Sequence, residues 1–198
     1  MIIVISLPDF FVNETSIVVK LFEEGLECFH LRKPTSSEED IRRFLCEIPQ
    51  KYHRRIAIHQ QYHLASEFNL RGIHCTSKNK QEFERNIHLP VKKSISVHGF
   101  SEAYLVNDLY EYAFLSPIFD SISKPGYKQG YLHEAISQFL NREHKTNFVA
   151  LGGITPNNMA ECCAMGFKSV ALLGYIWEGD SIENFKSINK EAKRLAIS

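Results

Sequence analysis

Eight short apolar segments alternate with helix signals along the 198 residues of the chain. The predicted strands are Ile2–Ser6, Cys28–Leu31, Ile56–His59, Gly72–His74, Ser94–Val97, Tyr112–Leu115, Phe148–Ala150 and Ser169–Leu173. Eight strand–helix units in one chain predict a closed parallel barrel, the α/β fold known as the (β/α)8 or TIM barrel. A doubly wound open sheet is the alternative, because 198 residues lie at the low end of the range for a barrel.

Composition and charge limit the classes of function. With 44% hydrophobic and 23% charged residues, the chain suits a single globular domain over residues 1–198. Its formal net charge is zero, so no global field favours nucleic acid or an anionic membrane as a partner. No apolar run is long enough to span a bilayer, and the first residues resemble a strand rather than a signal peptide. Five cysteines without a spaced framework favour reduced thiols and a cytoplasmic protein.

A glycine pair follows the seventh predicted strand, within the segment Asn147–Asn158 (NFVALGGITPNN). Gly152 and Gly153 would let backbone N–H groups approach an anion closely, and the next helix would point its positive end the same way. Thr155 is a plausible N-cap, and Pro156 suits the first helical position. This pattern predicts a phosphate site. The alternative is a tight strand-to-helix turn that binds nothing.

Ligands bind at the carboxyl ends of the strands in both candidate folds. The loops predicted there are biased towards cations, and Asp120 is the one acidic residue among them. The cationic residues are Arg32, Lys33, Lys78 and Lys124. In the sixth loop, Ser121, Ser123 and Lys124 place two hydroxyls and a cation within four residues. Such a lining predicts a ligand with several anionic oxygens, phosphate or diphosphate.

Four of the nine histidines fall at predicted strand ends: His30, His59, His74 and His98. His98 is the candidate general acid or base on residue type. A metal site built from several of these histidines is an alternative, which the lack of an accompanying carboxylate disfavours. The other five, predicted to lie at the surface, are His53, His63, His88, His133 and His144.

Five segments, taken in this order and spacing, resemble the thiamine phosphate synthase family and its thiazole tautomerase relatives. The segments are His30–Arg32, Gly72–His74, Ser94–His98, Ser116–Lys124 and Ala150–Pro156. The resemblance runs nearly end to end and implies a (β/α)8 barrel. It also implies that an aminopyrimidine methyl diphosphate is joined to a thiazole phosphate, with Mg²⁺ as cofactor and diphosphate as leaving group. These two small molecules are the implied partners, and a homodimer is left open.

The resemblance assigns roles by position. Arg32 is expected to grip the diphosphate, Ser96 to lie near the pyrimidine and the leaving group, and Lys124 to neutralise diphosphate charge. The residues expected to bind substrate or phosphate are His30, His59, Ser121, Ser123, Gly152, Gly153 and Gly174. The implied mechanism is dissociative: the C–O bond breaks, and the thiazole nitrogen captures the pyrimidine-methyl cation. The protein then has to stabilise the departing diphosphate and hold the nucleophile in place.

The chain departs from the family pattern at the expected metal ligands. Gln60 and Asn79 stand where the family usually has aspartates, and neutral amides lower the expected affinity for Mg²⁺. Pro117 stands where the tautomerase relatives carry a His-type residue. Three hypotheses therefore stay open: a thiamine phosphate synthase, a tautomerase-like enzyme in which His98 or His30 moves protons, and a non-catalytic binder of thiamine precursors.

Overall fold

Parallel strands close into a barrel in the computed structural model, which describes residues 1–120 and 132–197. The strands are β1 Ile2–Ile5, β2 Cys28–Leu31, β3 Ile56–Ile58, β4 Gly72–Cys75, β5 Lys92–Val97, β6 Tyr112–Leu115, β7 Asn147–Leu151 and β8 Val170–Leu172. They follow chain order around the barrel, and β1 pairs with both β2 and β8. This closure confirms the predicted (β/α)8 fold and excludes the open doubly wound sheet.

Helices cover the outside of the barrel. In the described part of the chain they are α1 Glu14–Glu23, α2 Glu38–Glu47, α3 His63–Glu67, α4 Lys80–Arg85, α5 Phe100–Ala103, α6 His133–Leu140, α7 Met159–Met165, α8 Gly174–Trp177 and α9 Ser181–Arg194. Two 3-10 helices, Gln50–Arg55 and Pro156–Asn158, precede β3 and α7. The sequence pattern predicts neither Gln50–Arg55 nor α8. Among these helices, none combines the length and apolar character needed to cross a membrane.

Local sequence signals explain several helix ends. Ser37 Oγ accepts a hydrogen bond from the Asp40 backbone N–H at 3.2 Å, and the Asp40 carboxylate accepts one from the Ser37 N–H at 3.3 Å. This capping box satisfies two backbone groups at the start of α2. Gly166 ends α7 with a φ of 106°, a left-handed conformation that glycine adopts without a steric cost.

The barrel has an outer and an inner core, because alternate residues of a strand face opposite sides of the sheet. The outer core lies between strands and helices and includes Val4, Phe29 and Ile73. The inner core is a smaller cluster inside the barrel, made of Ile3, Ile5, Cys28, Tyr112, Phe114, Val149 and Ala171. Histidine and serine side chains complete the interior towards the carboxyl ends of the strands, and these form the candidate site.

Candidate functional site

Arg32 lies at the carboxyl end of β2 and is half-buried. Ser6, which follows β1, fixes its backbone from both sides. The Arg32 N–H donates to Ser6 Oγ at 2.8 Å, and Ser6 Oγ donates to the Arg32 carbonyl at 3.0 Å. The guanidinium lies close enough to His59 and His74 for its charge to lower the pKa of both rings. Arg32 therefore supplies positive charge beside the polar interior of the barrel, as a residue that grips an anion requires.

Lys33 does not belong to the cationic mouth, so its inclusion there from sequence was wrong. Its side chain is fully buried, and its Nζ lies 2.7 and 2.8 Å from the two carboxylate oxygens of Glu14. It also donates to the Asp9 carbonyl at 2.9 Å and lies 4.4 Å from the centroid of the Phe10 ring. A buried ion pair with all these contacts is a structural tie between the β2 loop and α1, because breaking it would leave an uncompensated buried charge.

Three of the four strand-end histidines converge inside the barrel. His30, His59 and His74 are 0%, 5% and 0% exposed. His30 Nδ1 and His59 Nε2 are 3.0 Å apart, and the ring centroids of His59 and His74 are 4.4 Å apart. One ring nitrogen from each of the three lies within 4.8 Å of the others. We call this group the histidine floor, because it closes the inner core below the strand ends.

Hydroxyl groups hold the histidine floor in place. His74 Nδ1 lies 2.7 Å from Ser94 Oγ, and His74 Nε2 lies 2.8 Å from Ser96 Oγ. His30 Nε2 lies 2.7 Å from the Tyr112 hydroxyl. Ser96, the predicted catalytic residue, is half-buried. It is therefore the hydroxyl that links the floor to the carboxyl end of β5.

The rings of the floor are uncharged. Burial, with a smaller contribution from the charge of Arg32, lowers the pKa of His74 to about 3. Burial is also the largest cause that lowers the pKa of His30 and of His59 well below the usual range for histidine. His59 Nδ1 is buried and has no hydrogen-bond partner among the described residues. Neutral rings do not compensate phosphate charge, so His30 and His59 can contact a ligand only as hydrogen-bonding or stacking groups.

Gln60 and Asn79, the two positions expected to bind Mg²⁺, use their amides for backbone hydrogen bonds. Gln60 Nε2 donates to the Lys33 carbonyl. Asn79 Nδ2 donates to the His59 carbonyl at 2.6 Å and to the His74 carbonyl at 3.3 Å, while Asn79 Oδ1 accepts from the Thr76 N–H at 2.6 Å. Asn79 thus joins the strand ends that carry His59 and His74.

The described residues do not fit Mg²⁺. In residues 1–120 and 132–197, the one group of at least three His, Cys, Asp or Glu side chains with metal-binding proximity is the histidine floor. Mg²⁺ prefers an octahedral shell of oxygen ligands, whereas this group offers imidazole nitrogens. The role of Gln60 and Asn79 as magnesium ligands stays a prediction that these contacts do not favour.

Gly152 and Gly153 follow β7 with φ angles of 104° and 64°. A Cβ on Gly153 would lie 2.4 Å from the Asp120 carbonyl oxygen, and one on Gly152 would lie 3.0 Å from Pro117. The loop after β6 is held against this turn, since the Phe119 N–H donates to the Gly152 carbonyl at 3.2 Å. Both positions therefore need glycine for packing as well as for any approach of a phosphate.

The remaining predicted residues fall in three places. Ser121, Ser123 and Lys124 lie outside the described residues, so their phosphate clamp stays a prediction. Gly174 opens α8 directly after β8. His98 is exposed, and its Nδ1 lies 3.3 Å from Ser116 Oγ.

His53 is a correction to the predicted surface histidines. It is buried, and its ring nitrogens lie 3.0 to 3.1 Å from the carbonyls of Leu45, Ile48 and Phe68. Its hydrogen bonds therefore join the last turn of α2 and Ile48, which follows it, to Phe68, which follows α3, so its role is structural.

Sequence reasoning missed Ser94 and Tyr112 as partners of the floor. Ser94 and Ser96 are two residues apart on β5, and Tyr112 begins β6. A period of two places Ser94 and Ser96 on the same side of the sheet. That spacing was the sequence signal that could have identified Ser94 as a partner of the floor. The contact of Tyr112 with His30, 82 residues away, depends on barrel closure and left no local pattern.

The closed barrel and its polar carboxyl end define the class of protein: a (β/α)8 barrel whose candidate ligand site lies where such barrels bind substrates. A family model described as thiamine monophosphate synthase matches residues 3–176. The chain belongs to this thiamine monophosphate synthase family.

Individual relatives agree with the family. A thiamine phosphate pyrophosphorylase from Bacteroides thetaiotaomicron is 34% identical, with 97% of each chain covered and a TM-score of 0.82. A thiamine-phosphate synthase from Listeria welshimeri is 28% identical over 180 residues, which are 85% of this chain and 86% of the relative. A thiamine phosphate pyrophosphorylase from Pyrococcus furiosus, 15% identical with a TM-score of 0.80, supports the fold alone.

Proposed function

We propose that the chain joins an aminopyrimidine methyl diphosphate to a thiazole phosphate and releases diphosphate. The observation that carries the proposal is the position of Arg32 and Ser96 beside a buried, uncharged polar floor at the carboxyl end of the barrel. This arrangement offers charge for a diphosphate and neutral contacts for an uncharged ring. Family membership supports the same reaction.

Charged and neutral groups bind different parts of the aminopyrimidine substrate. Arg32 neutralises the diphosphate as the C–O bond breaks, because a guanidinium forms strong paired hydrogen bonds with phosphate oxygens. Ser96 donates its hydroxyl proton to an oxygen of the leaving group when His74 Nε2–H donates to Ser96 Oγ. The neutral ring of His59, whose Nδ1 has no partner among the described residues, faces the pyrimidine, and His30 supports it from below through its hydrogen bond to His59.

The thiazole phosphate is held on the other side of the mouth. The N–H groups of the turn at Gly152 and Gly153, together with Gly174 after β8, lie where barrels of this class bind phosphate. Ser121 and Ser123 complete this subsite in our proposal, and Lys124 beside them neutralises diphosphate charge. Replacing Lys124 with alanine is expected to weaken phosphate binding at least tenfold, about 1.4 kcal/mol.

The test is formation of thiamine phosphate from the two purified precursors in buffer that contains Mg²⁺. We expect Arg32→Ala to lower kcat/KM about 100-fold, because a charge that stabilises the leaving group acts mainly in the transition state. Arg43→Ala removes an exposed arginine from α2 and serves as the matched control with unchanged rate. Failure of the unaltered protein to form product at high enzyme concentration would exclude the synthase, and calorimetry with each precursor would then detect a binder.

A tautomerase-like reaction is the second candidate, and one observation favours it. The hydrogen bonds between Ser96 and His74 and between His74 and Ser94 join neutral groups that can each accept and donate a proton. Such a reaction would exchange deuterium into a thiazole carboxylate phosphate without a metal. Loss of that exchange on addition of EDTA would count against this candidate.

A further inference from the structure

The histidine floor has the spacing of a metal-ligand set. A tetrahedral Zn²⁺ with Zn–N distances of about 2.0–2.1 Å holds its nitrogen ligands about 3.4 Å apart. His30 Nδ1 and His59 Nε2 are already 3.0 Å apart. The three nitrogens lie within 4.8 Å of one another, so ring movements that shorten the longest separation by at most about 1.4 Å would bring all three to ligand distance.

The surroundings of the floor fit the outer shell of such a site. The nitrogen of a histidine that does not bind the metal usually donates to an oxygen, which fixes the ring and its tautomer. His30 Nε2 has the Tyr112 hydroxyl at 2.7 Å, and His74 Nδ1 has Ser94 Oγ at 2.7 Å. His74 Nε2 is then the nitrogen left for the metal, and a bound ion would replace its hydrogen bond to Ser96 Oγ at 2.8 Å.

An unpartnered nitrogen is a second, independent observation. His59 Nδ1 is buried without a partner in the described part of the chain, although leaving a buried polar atom unpaired costs about 1–3 kcal/mol. A ring that can turn about its χ2 angle can present either nitrogen to an ion and the other to its neighbour. A bound cation would thus use a ring that the hydrogen bonds of the protein alone leave incompletely satisfied.

We propose that His30, His59 and His74 bind a divalent transition metal of the Zn²⁺ or Co²⁺ type, with a fourth position open towards Ser96. Imidazole nitrogens suit such ions, and three histidines with an open position are a known arrangement of catalytic zinc. The ion would supply, beside Arg32, the positive charge that the amides of Gln60 and Asn79 do not provide. This site is independent of whether the chain makes thiamine phosphate.

The experiment uses the full-length chain without a histidine tag, stripped of metal with a chelator. Co²⁺ is titrated in, and its visible ligand-field absorption reports tetrahedral nitrogen ligation; zinc content after dialysis gives the stoichiometry. We expect one ion per chain. His30→Gln and His59→Gln should each weaken Co²⁺ binding at least tenfold, while the exposed His88→Gln should leave it unchanged. Equal binding by the floor variants and the unaltered chain would overturn the proposal, as would the absence of tetrahedral absorption.

A measurement on the unaltered chain covers the case in which the floor variants do not fold. Long-range ¹H–¹⁵N spectra of the nine histidines distinguish the nitrogens that bind metal from those that carry protons. Zn²⁺ should shift the signals of three buried rings and leave the others in place. If Zn²⁺ shifts only exposed rings, the floor is a hydrogen-bonded cluster and not a metal site.

Removing the charge of Arg32 should change Co²⁺ binding and the synthase reaction in opposite directions. Its charge lowers the pKa of His59 and His74, and the same charge repels a cation bound to them. Arg32→Ala should therefore strengthen Co²⁺ binding by about three- to tenfold, although it weakens the synthase reaction. Weaker Co²⁺ binding in this variant would contradict the proposed location. A chain that binds Co²⁺ at the floor but forms no thiamine phosphate would refute the proposed function and leave the metal site standing.

Discussion

The two halves of the barrel interior differ in what they bury. One half, lined from β7, β8 and β1, contains the apolar side chains Val149, Ala171, Ile3 and Ile5. The other half, lined from β2 to β5, contains His30, His59, His74, Ser94 and Ser96. We call them the apolar half and the polar half. Burying polar groups opposes folding unless they are hydrogen-bonded, so the polar half needs a network that the apolar half does not.

The two halves also differ in how they contribute to the carboxyl end of the barrel, where ligands bind. The apolar half reaches the mouth of the barrel through the backbone of the Gly152–Gly153 turn, which follows β7. The polar half reaches it through side chains, those of Arg32 and Ser96. In our proposal the thiazole phosphate is held by the backbone of this turn together with Ser121 and Ser123, and the diphosphate by side chains of the polar half, so two different phosphorylated ligands can bind at once, as the coupling reaction requires.

The largest expected effect comes from the apolar half. Ile3→Ala should lower the free energy of unfolding by about 4 kcal/mol, because it leaves a cavity among Cys28, Ala171 and other inner-core residues. Its kcat, measured on folded protein, should stay within about threefold of the original. Ser96→Ala is the matched change in the polar half and should show the reverse emphasis, with a smaller loss of about 1–3 kcal/mol, because His74 Nε2 loses its partner, and a lower kcat. Equal effects of both variants on kcat would remove the distinction between the halves.

Asn79→Asp probes the support of the polar half. Asn79 Nδ2 donates to the carbonyls of His59 and His74, and a carboxylate there would place negative oxygens against both. We expect the free energy of unfolding to fall by about 3 kcal/mol, measured by urea denaturation. The Thr76 N–H keeps its acceptor in this variant, so the loss isolates the two carbonyl contacts.

The same variant also tests the expectation from the family pattern. If position 79 is a lost magnesium ligand, Asn79→Asp together with Gln60→Asp should raise the Mg²⁺-dependent rate. Our expectation is no gain, because the side chain at 79 is directed at carbonyl oxygens and not at an open ligand position. A clear gain would show that the amides stand in for carboxylates and would restore magnesium to this site.

Sequence alone was sufficient for the fold, because most barrel strands are short apolar runs that alternate with helix signals; β5, which begins with Lys92 and Lys93, is the exception. Cys28–Leu31 and Tyr112–Leu115 match the predicted bounds in full. The convergence of the histidines was not predictable, since it depends on register between strands. His59 and His74 follow the paired residues Ile58 and Ile73 by one position, which brings both rings to the inside at the same level.

Burial of charged and polar side chains was the other property that sequence could not give. Lys33 looks like a mouth cation in the sequence, and only the packing of α1 shows that Glu14 neutralises it. His53 looks like a surface residue because its three carbonyl partners belong to other elements. Both errors arise because a local pattern carries no information about which distant acceptor, a side-chain carboxylate for Lys33 and backbone carbonyls for His53, will contact the residue.

The smallest expected effect tests the backbone contribution of the apolar half. Gly153→Ala combines a φ of 64° with a Cβ that would lie 2.4 Å from the Asp120 carbonyl oxygen, so we expect a loss of about 2 kcal/mol in the free energy of unfolding. Gly179→Ala is the matched control, with a φ of 74° and no atom within 4 Å of the added Cβ, and should cost about 1 kcal/mol. The difference isolates the contact with the loop after β6. If the KM for thiazole phosphate rises in Gly153→Ala but not in Gly179→Ala, the turn binds the phosphate in addition to packing against the loop after β6. If neither KM changes, the glycine pair is required only for packing, and the phosphate binds elsewhere at the carboxyl end of the barrel.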